Sequence, residues 1–251
     1  MTASGGVGSR LIVPLDVDSL AKAEAVVGEL RGLVDTYKIG LELLWSEGFG
    51  VVDRISSMGV KVFLDPKLHD IPNTVRGAAT AIGRLPVTMF TVHASGGSEM
   101  LRAAVKGALE GAKARSKPPP KVLGVTVLTS IDQQTLSTEL GVSGTPLTQV
   151  VSLAGICRRT GVDGVVASPN EVRAVREAIG PEMLIVAPGI RPSWAAAQDQ
   201  KRIATPAEAI RAGATHLVVG RPITSPPDSV GGAKEAAKLV LDEIRGALEQ
   251  G

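Results

Sequence analysis

What most limits how this chain can fold is an alternation: short runs of apolar, β-branched residues, each followed by a stretch with helical spacing, repeat from residue 11 to the C-terminus. The strand-like runs fall at residues 11–17, 36–40, 61–65, 89–93, 122–128, 164–168, 184–188 and 216–220. Helical spacing follows at 19–32, 42–57, 73–84, 97–114, 146–160, 170–179, 206–212 and 232–248. Strands that are apolar throughout, rather than alternating apolar and polar, must be covered on both faces, which is the condition of a parallel sheet flanked by helices. Local signals sharpen several boundaries. Asn73 is placed to cap a helix, Thr205-Pro206 has the polar-then-proline order of a helix start, and Gly180-Pro181 suits a helix end.

Eight such units can close into a (β/α)8 barrel or open into a doubly wound sheet. The open form carries a glycine-rich fingerprint in its first βα turn, but that turn here reads LDVDS. Nor does a linker divide the chain, since Pro118 to Pro120 is a short run where a helix turns into the fifth strand. The expectation is therefore a single-domain α/β TIM barrel over residues 11–251, preceded by a frayed stretch at 1–10, MTASGGVGSR.

Composition narrows the function classes. A 2% aromatic content leaves no stacking platform for nucleic acid, and 27 basic residues are interspersed with 25 acidic ones without a basic block. Cys157 is the only cysteine, so neither an intramolecular disulfide nor a thiol-rich metal site can form, and a reducing, cytoplasmic setting fits. No segment approaches the ~18 uninterrupted apolar residues of a membrane helix.

Reactive side chains collect where strands end: Asp16, Lys38, Asp65, His93, Thr129, Arg191 and Arg221 all stand at or just past strand C-termini, the catalytic face of a barrel. In DPKLHDIPNT, Asp65, Lys67 and Asp70 leave the third strand together, with Lys38 on the neighbouring strand. Two carboxylates interleaved with two ammoniums favour the charged form of every member, whether the cluster is catalytic or a structural ion-pair network. Strand eight ends in VVGRPIT and strand seven in PGIRP, so Gly220, Arg221 and Arg191 fall where barrels commonly hold phosphate. His93 and His69 have no ligand-spaced partner and are assigned orienting or packing roles. A magnesium ion on Asp16, Asp65 and Asp70 remains open, although Lys38 and Lys67 lessen the need for it.

In chain order, YKIG, FLDPKLHDIPNTV, TVHASGG, VTVLTS, APGIRP, DQKR and VVGRPIT resemble the orotidine 5'-phosphate decarboxylases of the bacterial type, from about residue 11 to 224. D-x-K-x-x-D is shared with magnesium-using sugar-phosphate decarboxylases and synthases, whereas HDIPNT and PGIRP narrow the likeness to the orotidylate branch. The resemblance implies decarboxylation of orotidine monophosphate to uridine monophosphate in pyrimidine synthesis. Lys67 would protonate C6, with Asp65 beside the leaving carboxylate and Lys38 and Asp16 on the ribose. Asp70, Ile71 and Thr74 would reach into a partner's site in a homodimer. Thr129 and Ser130 would address the pyrimidine, Pro188 would belong to the same pocket, and Arg191, Gln200, Gly220 and Arg221 would grip the phosphate. Residues 193–203 would form a lid. Neither metal nor organic cofactor is implied, and the partner is a nucleotide, not a nucleic acid or a membrane.

Chemistry agrees: loss of CO2 from C6 leaves a carbanion without conjugation to a ring carbonyl, so a preorganised ammonium must stabilise it. Two features depart from the family pattern. Pro66 separates Asp65 from Lys67, biasing Asp65 toward extended backbone and removing an amide donor, and SWAAAQ in the lid is poor in glycine and acid. The rivals are a magnesium-dependent sugar-phosphate enzyme on the same scaffold, separable by chelator sensitivity, and a catalytically silent nucleotide-binding barrel, against which the intact charge cluster argues.

Overall fold

Every apolar run becomes a strand, and the strands pair in sequence order until the last returns to the first. The computed structural model describes residues 6–195 and 204–250. Among them the strands are β1 (Leu11–Pro14), β2 (Thr36–Ile39), β3 (Lys61–Leu68), β4 (Met89–His93), β5 (Lys121–Val125), β6 (Gly164–Val166), β7 (Leu184–Ala187) and β8 (His216–Val218). They form a closed parallel barrel, β8 pairing with β1 through Leu11↔Leu217. Between them run α1 (Leu20–Glu29), α2 (Leu41–Glu47), α3 (Gly50–Ser57), α4 (Pro72–Gly83), α5 (Gly97–Lys113), α6 (Pro146–Thr160), α7 (Val172–Ile179), α8 (Pro206–Arg211), α9 (Arg221–Thr224) and α10 (Ala233–Glu249). No described helix is long and apolar enough to cross a membrane.

The period of two along each strand sorts side chains between two cores. Ile12, Phe63, Met89, Leu123, Val186 and Val218 meet inside the barrel, where they fill its lower part. Their neighbours, among them Val13, Val62, Leu64, Phe90 and Val92, face outward under the helices. Counting on by two from the inner layer reaches Asp16 from Ile12 and Asp65 from Phe63. The same alternation that builds the core thus aims those carboxylates into the mouth.

Several boundaries differ from expectation for identifiable reasons. Ladders stop short of 17, 128, 168, 188 and 220, where continuous pairing gives way to the loops of the mouth. Single backbone bonds persist there, such as Leu15 N–H to the Lys38 carbonyl at 2.8 Å. The helix expected over 42–57 divides at Gly48, whose φ of 70° breaks it into α2 and α3. Asn73 is not a cap: Ile71 is extended and Pro72 opens α4, putting Asn73 within the first turn. Thr205 and Glu208 form the reciprocal cap of α8, and Gly180 ends α7 with a φ of 78°. Val7–Arg10, within the stretch expected to fray, wind a short 3-10 helix beneath β1, and residues 1–5 lie outside the described residues.

Candidate active site

The charged cluster is assembled by β1, β2 and β3. Lys67 Nζ donates to Asp65 Oδ2 at 2.7 Å, and Lys38 Nζ lies 3.6 Å from the same oxygen and 3.2 Å from Asp16 Oδ1. Asp65 is buried, whereas the Asp16 side chain is 62% exposed. Burial alone would raise the Asp65 pKa, but the charges of Lys38 and Lys67, with hydrogen bonds from Lys67 and Thr91, outweigh it and hold the carboxyl below its ordinary value. Gly40 leaves the room this needs, because a Cβ there would stand 3.0 Å from Lys38 Nζ and 3.3 Å from Asp16 Oδ1.

The end of β3, where Pro66 stands, is irregular. Pairing with β4 shifts register between Leu64 and Leu68, and Lys67 adopts φ 50°, a left-handed conformation that costs a non-glycine residue about 1–2 kcal/mol. The Lys67 amide, taken out of the regular ladder, donates to Thr91 Oγ1 at 3.0 Å. Strain at a residue aimed into the cavity is what functional sites tend to store.

A cavity of about 370 Å³ opens above the inner core, within the range of small-ligand sites. Asp16, Lys38, Asp65 and Lys67 line one side, and Pro188, Arg191, Gly220 and Arg221 line another. In an eight-strand ring, β3 and β7 stand across the mouth from each other. A molecule held at both walls therefore carries an anionic group at one end and presents its reacting atom to the ammoniums at the other. Arg221 opens the short helix α9, matching the phosphate grip that barrels build after strands seven and eight. Thr129 lines the cavity, while Ser130 lines an adjoining one of about 1050 Å³ that shares Thr129, Ser168 and Pro188.

Not every expected residue joins. Asp70 does not enter the cluster of its own chain, because it lies past the end of β3, where its Oδ1 accepts the Ile71 amide at 2.6 Å. With Ile71 and Thr74 it is exposed, outside the cavity. Among the described residues no group of three or more His, Cys, Asp and Glu side chains is arranged to hold a metal, so Asp16, Asp65 and Asp70 do not gather. Gln200 and most of the expected lid lie outside the described residues. At the lid's base, the Arg191 amide donates to the Ala204 carbonyl at 3.1 Å, and the Ser193 amide and hydroxyl both reach Glu243 Oε1 at 3.4 Å. The His69 and His93 rings lie 5.4 Å apart, tilted by 39° to each other, and neither lines the cavity. His93 is depressed below its ordinary value by burial, then by the charges of His69 and Lys67, against an opposing pull from Asp65.

Sequence reasoning passed over Thr91, Gly40 and Ser168. Thr91 carried a signal: a hydroxyl at an inward position of an otherwise apolar strand must find a partner when buried.

Comparison with known proteins agrees with this geometry. The sequence profile of the "Orotidine 5'-phosphate decarboxylase / HUMPS family" matches residues 9–236. An orotidine 5'-phosphate decarboxylase of Heliobacterium modesticaldum is 51% identical over 239 residues, covering 95% of this chain and 97% of that one. One of Moorella thermoacetica is 48% identical, with 91% and 90% covered. The crystal structure of orotidine 5'-phosphate decarboxylase from Lactobacillus acidophilus superposes with a TM-score of 0.82 at 38% identity, over 94% of this chain and 99% of that one.

Proposed function

We propose, from the premise that this chain belongs to the orotidine 5'-phosphate decarboxylase / HUMPS family, that it is a carboxy-lyase converting orotidine 5'-monophosphate to uridine 5'-monophosphate and CO2. The observation that carries this reading is an ammonium, Lys67 Nζ, held 2.7 Å from Asp65 in a cavity whose far wall bears Arg191 and Arg221. The substrate phosphate binds Arg191, Arg221 and the Gly220 amide, with Gln200 completing the grip, while Lys38 and Asp16 take the ribose hydroxyls. Pro188, Thr129 and Ser130 bound the pyrimidine, which puts C6 near Lys67 and its carboxylate against Asp65.

The C6–carboxylate bond then breaks with its electron pair left on C6, CO2 departs, and the pair takes a proton from Lys67 Nζ. Electrostatic stabilisation of that carbanion by a fixed ammonium is the largest contribution available without an electron sink. Both Asp65 oxygens are already engaged by protein groups, Oδ1 by Thr91 and Oδ2 by the lysines. No metal or organic cofactor enters the reaction as drawn. Phosphate contacts remote from C6 provide binding energy for closure over residues 193–203.

A homodimer accounts for the residues left outside the cavity. Asp70, Ile71 and Thr74 sit exposed where α4 begins, and Leu41, Trp45 and Phe49 recur at every fourth residue on the neighbouring segment after β2. Trp45 is 81% and Ile71 67% exposed, apolar surface suited to burial against a second copy that receives Asp70 in its active site. A cytoplasmic setting suits this chemistry and the unpaired, buried Cys157.

Loss of pyrimidine absorbance on adding orotidine monophosphate, in EDTA, tests the reading. Wild type turns over, and Lys67→Ala is slower by at least about 10^3-fold. Substantial activity in the variant would sink the assigned proton donor. Inactivity of the wild type, with magnesium restoring activity on a sugar phosphate, would move the protein to the other branch of its family.

A further inference from the structure

We infer that Thr91 is a positioning residue, its hydroxyl tying the Asp65 carboxylate to the backbone of Lys67 so that both face the reacting carbon in one geometry. The inference rests on the proposed reaction for its consequence, but on local structure for its content.

Thr91 stands on β4 opposite the register break of β3, between the pairs Leu64↔Phe90 and Leu68↔Val92, and it is fully buried. Its Oγ1 lies 2.8 Å from Asp65 Oδ1 and 3.0 Å from the Lys67 amide nitrogen. The direction of both bonds is forced by chemistry. An amide can only donate, so the hydroxyl accepts from Lys67, and an ionised carboxylate can only accept, so the hydroxyl's single proton goes to Asp65. One group thereby fixes two neighbours with no donor left over.

Each bond has a separate effect. The first occupies Asp65 Oδ1, which leaves Oδ2 as the edge turned toward Lys67 Nζ at 2.7 Å and Lys38 Nζ at 3.6 Å. The second supplies the partner that the Lys67 amide lacks in the irregular ladder, at a residue with φ 50° preceded by a proline that has no amide of its own. Removing the hydroxyl would free the carboxylate to rotate, leave a half-buried amide without this partner and let the Lys67 backbone relax. Small displacements of a reacting group are costly because the site works by preorganisation.

The test compares Thr91→Ser, Thr91→Val and Thr91→Ala in the full-length protein. Packing alone ranks Val, which keeps the volume, above Ser, which leaves a hole. The hydroxyl ranks them the other way. Ser is expected to hold kcat within roughly threefold of wild type, while Val and Ala lose on the order of tenfold or more in kcat with little change in KM. The acid limb of the kcat/KM profile moves to higher pH in Val and Ala alone, since loss of a donor raises the Asp65 pKa and activity needs the ionised form. Should Val not fold, Ser against Ala isolates the same hydroxyl. A carbon-13 NMR titration of the Asp65 carboxyl reads the bond without any turnover: it shifts upward in Ala and Val and not in Ser, whether or not the wild type decarboxylates. Equal kcat losses in Ser and Ala, or an Asp65 titration that is the same in all variants, would overturn the proposal. Wild type inactive on orotidine monophosphate would overturn the functional reading instead, and the titration would still decide for Thr91.

Discussion

At position 216 a histidine opens β8 at the end of the barrel away from the cavity, its Nδ1 2.9 Å from Thr215 Oγ1. Burial depresses its pKa to about 4, with help from the positive charges of Arg10 and Lys61. The folded protein thus holds this ring neutral where the unfolded chain would bind a proton. Its contribution to stability is complete above the ordinary histidine pKa, about 6.5, and is lost as pH falls from there toward about 4. Urea midpoints measured across that window should fall less steeply for His216→Gln than for wild type, and identical slopes would contradict the assignment. Nothing in the sequence marks His216, because its environment is made by Arg10, at the end of the short 3-10 helix before β1, and by Lys61 on β3. Asp65 and Lys67 were legible as residues of opposite charge two positions apart at the end of an apolar strand.

Helices α4 and α5 pack backbone to backbone. A Cβ at Gly111 would collide with the Thr80 carbonyl, one at Gly107 with the Arg76 carbonyl, and one at Gly83 would come within 2.7 Å of the Ala108 carbonyl. Glycine disfavours a helix by about 1 kcal/mol relative to alanine, so propensity alone would make Gly111→Ala stabilising. Overpacking opposes it and wins, because backbone cannot move as a side-chain end can. The substitution should destabilise by about 1–3 kcal/mol. Gly28→Ala, in α1 with open space around it, serves as the control and should stabilise by about 0.5–1 kcal/mol. Denaturant unfolding of both checks the pair, and a gain in each would mean that the seam is looser than it stands. Helical spacing revealed both helices. It could not reveal that they touch here, because a glycine reads the same in a seam as in a loop.

For the whole molecule the question is whether a site is complete in one chain. Asp70 does not line the cavity of its own chain, so the proposed dimer makes each site from two copies. Mixing the inactive Lys67→Ala and Asp70→Ala proteins and allowing subunits to exchange should then restore activity. A mixed dimer carries one native pair, and half of the dimers are mixed, so recovery should approach about a quarter of wild type. No recovery, with exchange verified by mass, would mean that Asp70 acts within its own chain and that no site is shared across the interface. Trp45→Lys should weaken the dimer and lower activity on dilution, as sedimentation and assay at matched concentrations would read.

The order of strands and helices and the charged end of β3 are written locally, in periods of two and 3.6 and in residues a few positions apart, which is why the sequence alone determined them. Thr91 beside Asp65, the left-handed turn at Lys67 and the separation of Asp70 from its neighbours in DPKLHD depended on how β3 meets β4. Those relations join residues 24 and 26 positions apart, and a hydrogen bond across strands leaves no trace in either strand's own pattern. Closing the barrel brought Arg191 and Arg221 across from Lys67, and only that closure made one cavity of them.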